Sequence, residues 1–166
     1  MNEFEMKDLG IMKYFLGMEV YQSKYEIFIF ESKYAHDMLN KIDMLECDLS
    51  PTPSAHGEDL CKDDGADFVD EKTSKSIMRS LIFLTHSRPK ITYLVSLVSR
   101  YMKNPSEIHM KEAKRILRYV KGTLNFGIHD YSSEKFNLVG FSDSDWGGVL
   151  MTVSPHLEIS SLLVML

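Results

Sequence analysis

The sequence of 166 residues lacks the features that mark several protein classes. Its two cysteines, Cys47 and Cys61, are too few for a disulfide framework or a zinc site, so we expect a reducing, intracellular environment, cytoplasmic or nuclear. Residues 1–10 have no basic start followed by an apolar run, so we expect no signal peptide and no secretion. Every apolar stretch is shorter than the roughly 20 residues that span a bilayer. These absences favour a soluble protein with no membrane partner.

The sequence does contain a strong separation of charge, which the formal net charge of −5 hides. Residues 43–71 carry ten acidic side chains against Lys62, whereas residues 72–121 carry twelve basic side chains against Glu107 and Glu112. A basic block on ordered segments suggests a polyanion partner, because phosphate contacts dominate the affinity of proteins for nucleic acids. On charge alone, a basic surface that merely faces solvent is an equal alternative.

The first part of the chain predicts a β-hairpin followed by a helix. Residues 13–30 hold two aromatic and β-branched runs around a polar break, with Gly17 expected as a bulge in the first strand. Ser32 is expected to cap a helix over 33–42. A second hairpin is expected where residues 126–131 and 137–146 alternate polar and apolar positions.

Apolar periodicity predicts three more helices, so the fold class is α+β, with two β-hairpins and about four helices. These helices cover residues 74–87, 91–103 and a third that Ser106 caps and Gly122 ends. At the third position of this last helix stands His109, where a capping box prefers Glu or Gln.

An acidic connection over residues 46–71 separates these halves. Its length without any period is typical of a functional loop, a linker or a disordered segment. With Gly65 at position 6 and Glu71 at position 12, it partly resembles a calcium loop. Leu60 and Lys62 would then take positions 1 and 3, where they cannot supply carboxylate oxygens. We therefore do not expect calcium binding.

The helix after Ser106 carries a basic stripe, about 100° around the helix from its apolar stripe. We interpret this stripe as a phosphate-binding face for nucleic acid, formed by Lys111, Lys114, Arg115, Arg118 and Lys121. The helix dipole offers a structural reason for some of these cations, because they lie towards the C-terminus. Five aligned cations exceed what the dipole needs.

Sequence signals for catalysis are few. Asp143 and Asp145 lie near the end of an expected strand and could begin a divalent-metal site, although two-metal nucleases need three or four acidic groups. A lone Asp-x-Asp more often caps a turn. The six histidines show no ligand spacing, and no nucleophile motif or phosphate-binding loop is present.

Long motifs nevertheless resemble a known family, the polyproteins of copia-type long-terminal-repeat retrotransposons of plants. The motifs include FEMKDLGIMKYFLGMEVYQ, SKYAHDMLNKIDMLECDLSPTP, SRPKITYLVSLVSRYMKNPSEIHMKEAKRILRYVKGTL and LVGFSDSDWGG. The resemblance covers residues 4–148. It implies the C-terminal part of a reverse transcriptase followed by the first strand of a ribonuclease H, with Asp143 as that family's first metal-binding carboxylate and Mg²⁺ as its metal.

This resemblance implies a division of the chain into segments of different origin. The expected segments are the end of a palm-like region (1–45), the acidic connection (46–71), a helical thumb/connection-like region (72–121), the start of a ribonuclease H-like domain (122–148) and a divergent tail (149–166).

The resemblance also shows what these residues lack. The family's Tyr-x-Asp-Asp polymerase motif would precede Phe4, and the further ribonuclease H carboxylates would follow Gly148. Arg79 stands where the family has Gly, which we expect to disturb a helix contact. We therefore expect a truncated, catalytically inactive remnant with residual binding of RNA–DNA hybrid or other template-primer nucleic acid. The alternatives are a protein-interaction module from the same element, which associates with itself or a partner through 149–166, and assembly in trans with an intact polymerase.

Overall fold

The computed structural model of the chain describes residues 10–54 and 60–131, together with the strand backbones at 139–142 and 162–165. Its helices are α1 (Ser32–Lys41), α2 (Glu71–Leu84), α3 (Pro89–Ser99) and α4 (Glu107–Gly122). Its strands are β1 (Tyr14–Phe15), β2 (Met18–Gln22), β3 (Glu26–Phe30), β4 (Gly127–Tyr131), β5 (Val139–Ser142) and β6 (Leu162–Met165). Within these residues, four helices accompany an antiparallel sheet of order β1-β2-β3-β4, which confirms the α+β class.

The hairpin predicted over residues 13–30 is confirmed for β2 and β3. Glu19 pairs with Phe30, and the strands stay in register to the turn. Gly17 is not a bulge, because it forms a tight turn with Leu16 between β1 and β2. Both residues have positive φ, 50° at Leu16 and 87° at Gly17. A two-residue hairpin turn whose twist matches that of the flanking strands requires positive φ at both positions.

The second predicted hairpin is wrong in its pairing. β4 lies antiparallel to β3, with Phe30 opposite Gly127 and Glu26 opposite Tyr131, while β5 pairs with β6 in a separate two-stranded sheet. A Cβ atom at Gly127 would lie 2.2 Å from the carbonyl oxygen of Ile29, so glycine permits this approach. The chain leaving α4 therefore continues the first sheet instead of starting a new one.

Two helices begin at residues other than those expected, one with a distant hydrogen bond at its start and one with a local cap. Ser32 is the first residue of α1 and not its cap, because its hydroxyl donates to the carbonyl of Leu124 at 2.8 Å. α2 begins three residues earlier than expected, since the Asp70 carboxylate accepts the backbone N–H of Thr73 at 2.7 Å.

Arg79 is exposed on α2, so the helix contact that we expected it to disturb is not affected.

The hydrophobic core is helical. Its buried residues come from all four helices and the segments beside them, and include Leu39, Leu81, Ile91 and Leu117. No described residue of β1 to β4 is buried, so the sheet lies outside this core. Among the described residues, no helix has the length and apolar character needed to cross a membrane.

A buried polar cluster joins the sheet, the α2–α3 turn and the end of α4. Ser87 donates its hydroxyl to the Glu31 carboxylate at 2.6 Å. The Arg88 guanidinium donates to the carbonyls of Thr123 at 2.5 Å and Leu124 at 3.0 Å. Burial raises the pKa of Glu31, against the opposing effects of Ser87 and Arg88. Arg88 thus gives a second, charged donor to two carbonyls just after α4, which also accept from the Phe126 N–H and the Ser32 hydroxyl.

Replacing this arginine tests the cluster. We expect Arg88→Ala to lower the free energy of unfolding by about 3 kcal/mol, because it removes charged hydrogen bonds to two carbonyls and leaves the buried Glu31 carboxylate without its neighbouring cation. Arg88→Lys keeps the charge but loses the planar guanidinium, so we expect a smaller decrease in the free energy of unfolding. Urea unfolding measures both variants. A loss below about 0.5 kcal/mol for Arg88→Ala would contradict this role.

Candidate nucleic-acid interface

The basic stripe lies on α4, whose start is fixed by a reciprocal cap. The Ser106 hydroxyl accepts the backbone N–H of His109 at 3.3 Å, and His109 Nδ1 accepts the backbone N–H of Ser106 at 3.0 Å. The predicted Ser106 cap is therefore confirmed, and the imidazole takes the place that Glu or Gln usually fills. Two N–H groups at the start of α4 are satisfied in this way.

The ring of His109 is fully buried. Its Nε2 donates to the carbonyl of Cys61 at 3.1 Å, and its face stacks on Tyr101 with ring centroids 4.2 Å apart. Burial lowers the pKa of His109, although the nearby carboxylate of Asp64 opposes this shift. A neutral ring fits both contacts, because Nδ1 must remain an acceptor.

The acidic connection packs along this same helix, which the sequence did not indicate. Near the start of α4, the backbone N–H of Glu107 donates to the carbonyl of Asp67 at 2.9 Å, and that of Val69 donates to the carbonyl of Pro105 at 2.9 Å. Farther along, the backbone N–H of Ser50 donates to the carbonyl of Arg118 at 3.4 Å. The described parts of the connection are irregular in backbone but docked on α4.

Two of the five predicted cations hold this connection. Lys121 Nζ donates to the carbonyl of Cys47 at 2.5 Å, and Arg115 Nη2 donates to the Thr52 hydroxyl at 3.1 Å. Their structural role was missed, because nothing local in the sequence shows which segment covers a helix face. Both acceptors are neutral oxygens, so Arg115 and Lys121 hold the connection through hydrogen bonds while keeping their charge.

The remaining cations of the stripe face outward to different degrees. Lys111 and Lys114 are exposed, and Arg118 is half-buried. Within the described part of the chain, the side chains of Lys114 and Arg118 make no hydrogen bond or ion pair. They stand one helical turn apart, so their charges lie on one face of α4.

The metal site predicted at Asp143 falls in a part of the chain that the structure does not describe. Asp143 lies outside the described residues, and so does the tail at 149–166 apart from the backbone of β6. In residues 10–54 and 60–131, no three His, Cys, Asp or Glu side chains come together as a metal site would require. No step is therefore assigned to the Mg²⁺ that the resemblance implies.

Comparison with known proteins gives three informative relatives. An uncharacterised mitochondrial protein of Arabidopsis thaliana is 37% identical, over 90% of this chain and 62% of that protein. The retrovirus-related Pol polyprotein from transposon RE1 of Arabidopsis thaliana is 34% identical over 87% of this chain and 10% of the polyprotein. The corresponding polyprotein from transposon TNT 1-94 of Nicotiana tabacum is 30% identical over 87% of this chain and 12% of the polyprotein.

These relatives indicate the class of protein that the chain resembles. Its homologues include retrotransposon Pol polyproteins of Arabidopsis thaliana and Nicotiana tabacum. Its plant relatives are consistent with a fragment of a copia-type element, as the sequence motifs indicated. It spans about six-tenths of the mitochondrial relative and about a tenth of the full polyproteins. No protein-family model matches the chain, and no solved structure matches it.

The buried imidazole of the cap predicts a pH dependence of stability. Because folding lowers the pKa of His109 below its ordinary 6.5, the unfolded chain binds more protons once the pH falls below that value. The stabilisation that neutral His109 gives the folded chain is thus complete above about pH 6.5. It is lost as the pH falls towards the pKa of His109 in the folded chain, and the free energy of unfolding then decreases by at most about 1.4 kcal/mol per pH unit.

Urea unfolding at pH 7.5 and pH 5.5 measures this effect. His109→Gln is the matched variant, because an amide can complete the capping box without titrating. We expect this variant to lose less stability on acidification than the natural chain. An equal loss in both proteins would show that His109 is not the titrating group.

Proposed function

We propose that this Pol-derived chain binds template-primer nucleic acid through the exposed side of α4 and carries out no polymerase or ribonuclease H reaction itself. The observation that carries the proposal is the pair Lys114 and Arg118. Both are cations on one face of a helix that is capped at its start and held by Arg88 at its end. A rigid helix with charges one turn apart can follow a phosphate backbone without reading bases.

The two side chains suit complementary contacts with phosphate. An arginine guanidinium can donate two parallel hydrogen bonds to one phosphate, whereas a lysine ammonium acts as a mobile point charge. Lys111 lies one turn before Lys114 and adds positive charge to the same face. We propose that these three residues contact the nucleic acid, and that Arg115 and Lys121 primarily hold the connection.

The proposed inactivity follows from the residues that polymerase and nuclease chemistry need. The 166 residues contain no Tyr-x-Asp-Asp, and Asp143 is the carboxylate that matches the first ribonuclease H position. A two-metal reaction requires several carboxylates around its ions. Reproducible Mg²⁺-dependent cleavage of an RNA–DNA hybrid that disappears in Asp143→Ala would overturn this part of the proposal.

The free cysteines support the expected intracellular location, because disulfides persist mainly in oxidising compartments.

A charge-neutralising pair of substitutions tests nucleic-acid binding. We expect Lys114→Gln/Arg118→Gln to weaken binding of a labelled RNA–DNA hybrid about tenfold at about 50 mM salt, because two phosphate contacts are lost. Fluorescence anisotropy measures the affinity.

The matched control is Lys41→Gln/Lys90→Gln, which removes the same charge from exposed positions on α1 and α3. We expect this control to bind nearly as well as the natural chain. Equal weakening in both variants would show a general charge effect and contradict a specific face on α4.

A second candidate function is a protein-interaction module, favoured by an apolar hollow on the sheet. One face of the sheet and the segment before it form an apolar hollow of about 230 Å³. It is lined by Met12, Phe15, Met18, Val20, Gln22, Ile27 and Ile29. Exposed apolar surface of this kind often marks a contact with another protein.

Self-association through this hollow can be tested with the purified chain alone. Sedimentation velocity at increasing concentration should then show a dimer that Val20→Glu removes. Tyr21→Glu, on the opposite face of β2, is the control that should leave the dimer intact. A monomer at every concentration would count against self-association through this face.

A further inference from the structure

The part of the connection that covers α4 contains two hydroxyl residues, each followed by proline. These pairs are Ser50-Pro51 and Thr52-Pro53. Ser50 is 8% exposed, and its hydroxyl donates to the carbonyl of Thr52 at 2.7 Å. Thr52 is exposed. A modifying enzyme that approaches the folded chain therefore finds one of the two hydroxyls accessible.

The accessible hydroxyl faces an arginine. Thr52 Oγ1 accepts a hydrogen bond from Arg115 Nη2 at 3.1 Å and donates to the carbonyl of Ser54 at 2.9 Å. Arg115 Nε is buried and has no hydrogen-bond partner among the described residues. Nε and Nη2 form one edge of the guanidinium, and such an edge can bind a phosphate through two parallel hydrogen bonds.

We propose that Thr52 is a phosphorylation site for a proline-directed protein kinase, and that Arg115 holds the resulting phosphate. In this step Thr52 Oγ1 attacks the γ-phosphorus of ATP. The new O–P bond forms as the bond to the bridging oxygen breaks, ADP leaves, and the hydroxyl proton passes to the kinase base. The phosphate gives both Nη2 and Nε of Arg115 a charged acceptor, so the connection is held more tightly on α4.

The same modification changes the charge of the α4 face. A phosphothreonine carries about −1.5 to −2 charges at pH 7, placed beside Arg115 and on the segment whose Ser50 contacts the backbone of Arg118. This negative charge repels a nucleic-acid backbone and competes for the arginines. Phosphorylation of Thr52 therefore acts as an off-switch for binding, a consequence that rests on the proposed function.

The site itself is tested by phosphorylation of the folded full chain with ATP and a proline-directed kinase, followed by mapping of the phosphate by mass spectrometry. We expect modification at Thr52 and not at Ser50. Thr52→Ala should abolish incorporation, and Ser50→Ala should retain it. A peptide covering residues 46–58 serves as the unfolded control. Modification of the peptide but not of Thr52 in the folded chain would overturn the proposal.

The contact between Arg115 and the Thr52 phosphate is tested by ³¹P NMR titration of the phosphorylated chain. Beside the guanidinium, the second pKa of the phosphothreonine should lie below its usual value of about 6 and below that of the phosphopeptide. Arg115→Gln should restore the peptide value, whereas the matched Arg118→Gln should shift it less. An identical pKa in the natural chain and the peptide would show that Arg115 does not hold the phosphate.

The switch is tested separately by anisotropy with the RNA–DNA hybrid. Phosphorylation should weaken binding about tenfold at about 50 mM salt. If the phosphate is clamped but the affinity is unchanged, the switch is wrong while the site stands. If the unmodified chain does not bind the hybrid, the proposed function fails, and mapping and NMR still decide the phosphorylation site.

Discussion

Helix α4 can hold its position only if the polar groups at its two ends are satisfied, and the rest of the described structure depends on how this is done. At its start, Ser106 and His109 exchange hydrogen bonds. At its exit, Arg88 donates to the carbonyls of Thr123 and Leu124. The groups at the start are buried, and at the exit Arg88 adds charged hydrogen bonds to carbonyls that also accept from Phe126 and Ser32, so losing either set would be costly. With both ends fixed, the apolar face of α4 packs against α1, α2 and α3.

This arrangement brings the acidic and the basic segments of the sequence together. The acidic connection does not extend into solvent in its described parts, because it lies along the basic helix that follows it. Arg115 and Lys121 bind it directly, and its backbone meets that of Arg118. Two of the five cations are therefore engaged by neutral oxygens of the connection. The cations left for an external polyanion are fewer than the five that the stripe contains, which implies a modest affinity and a salt dependence set by two or three phosphate contacts.

The features that were predictable from sequence are local. The Ser106 cap and the pairing of β2 with β3 depend on residues a few positions apart, so patterns in the chain reveal them. The pairing of β4 with β3 joins residues about 100 positions apart, and Ser32 bonds to Leu124 over a similar separation. Local propensity carries no information about such partners. The same holds for the site: the stripe on α4 was visible, but the segment that covers Arg115 and Lys121 was not.

The resemblance to retrotransposon Pol polyproteins was recognisable from long motifs, since sequence identity with those polyproteins extends over most of the chain. The function of this chain is a separate question, because it depends on how many cations remain available on α4. The salt dependence of binding measures that number. Anisotropy of a labelled RNA–DNA hybrid between about 50 and 200 mM salt should give a slope of log K against log salt of about −2 to −3, as two or three phosphate contacts require. A slope near zero, or no binding by the folded chain at about 50 mM salt, would contradict a nucleic-acid interface on α4.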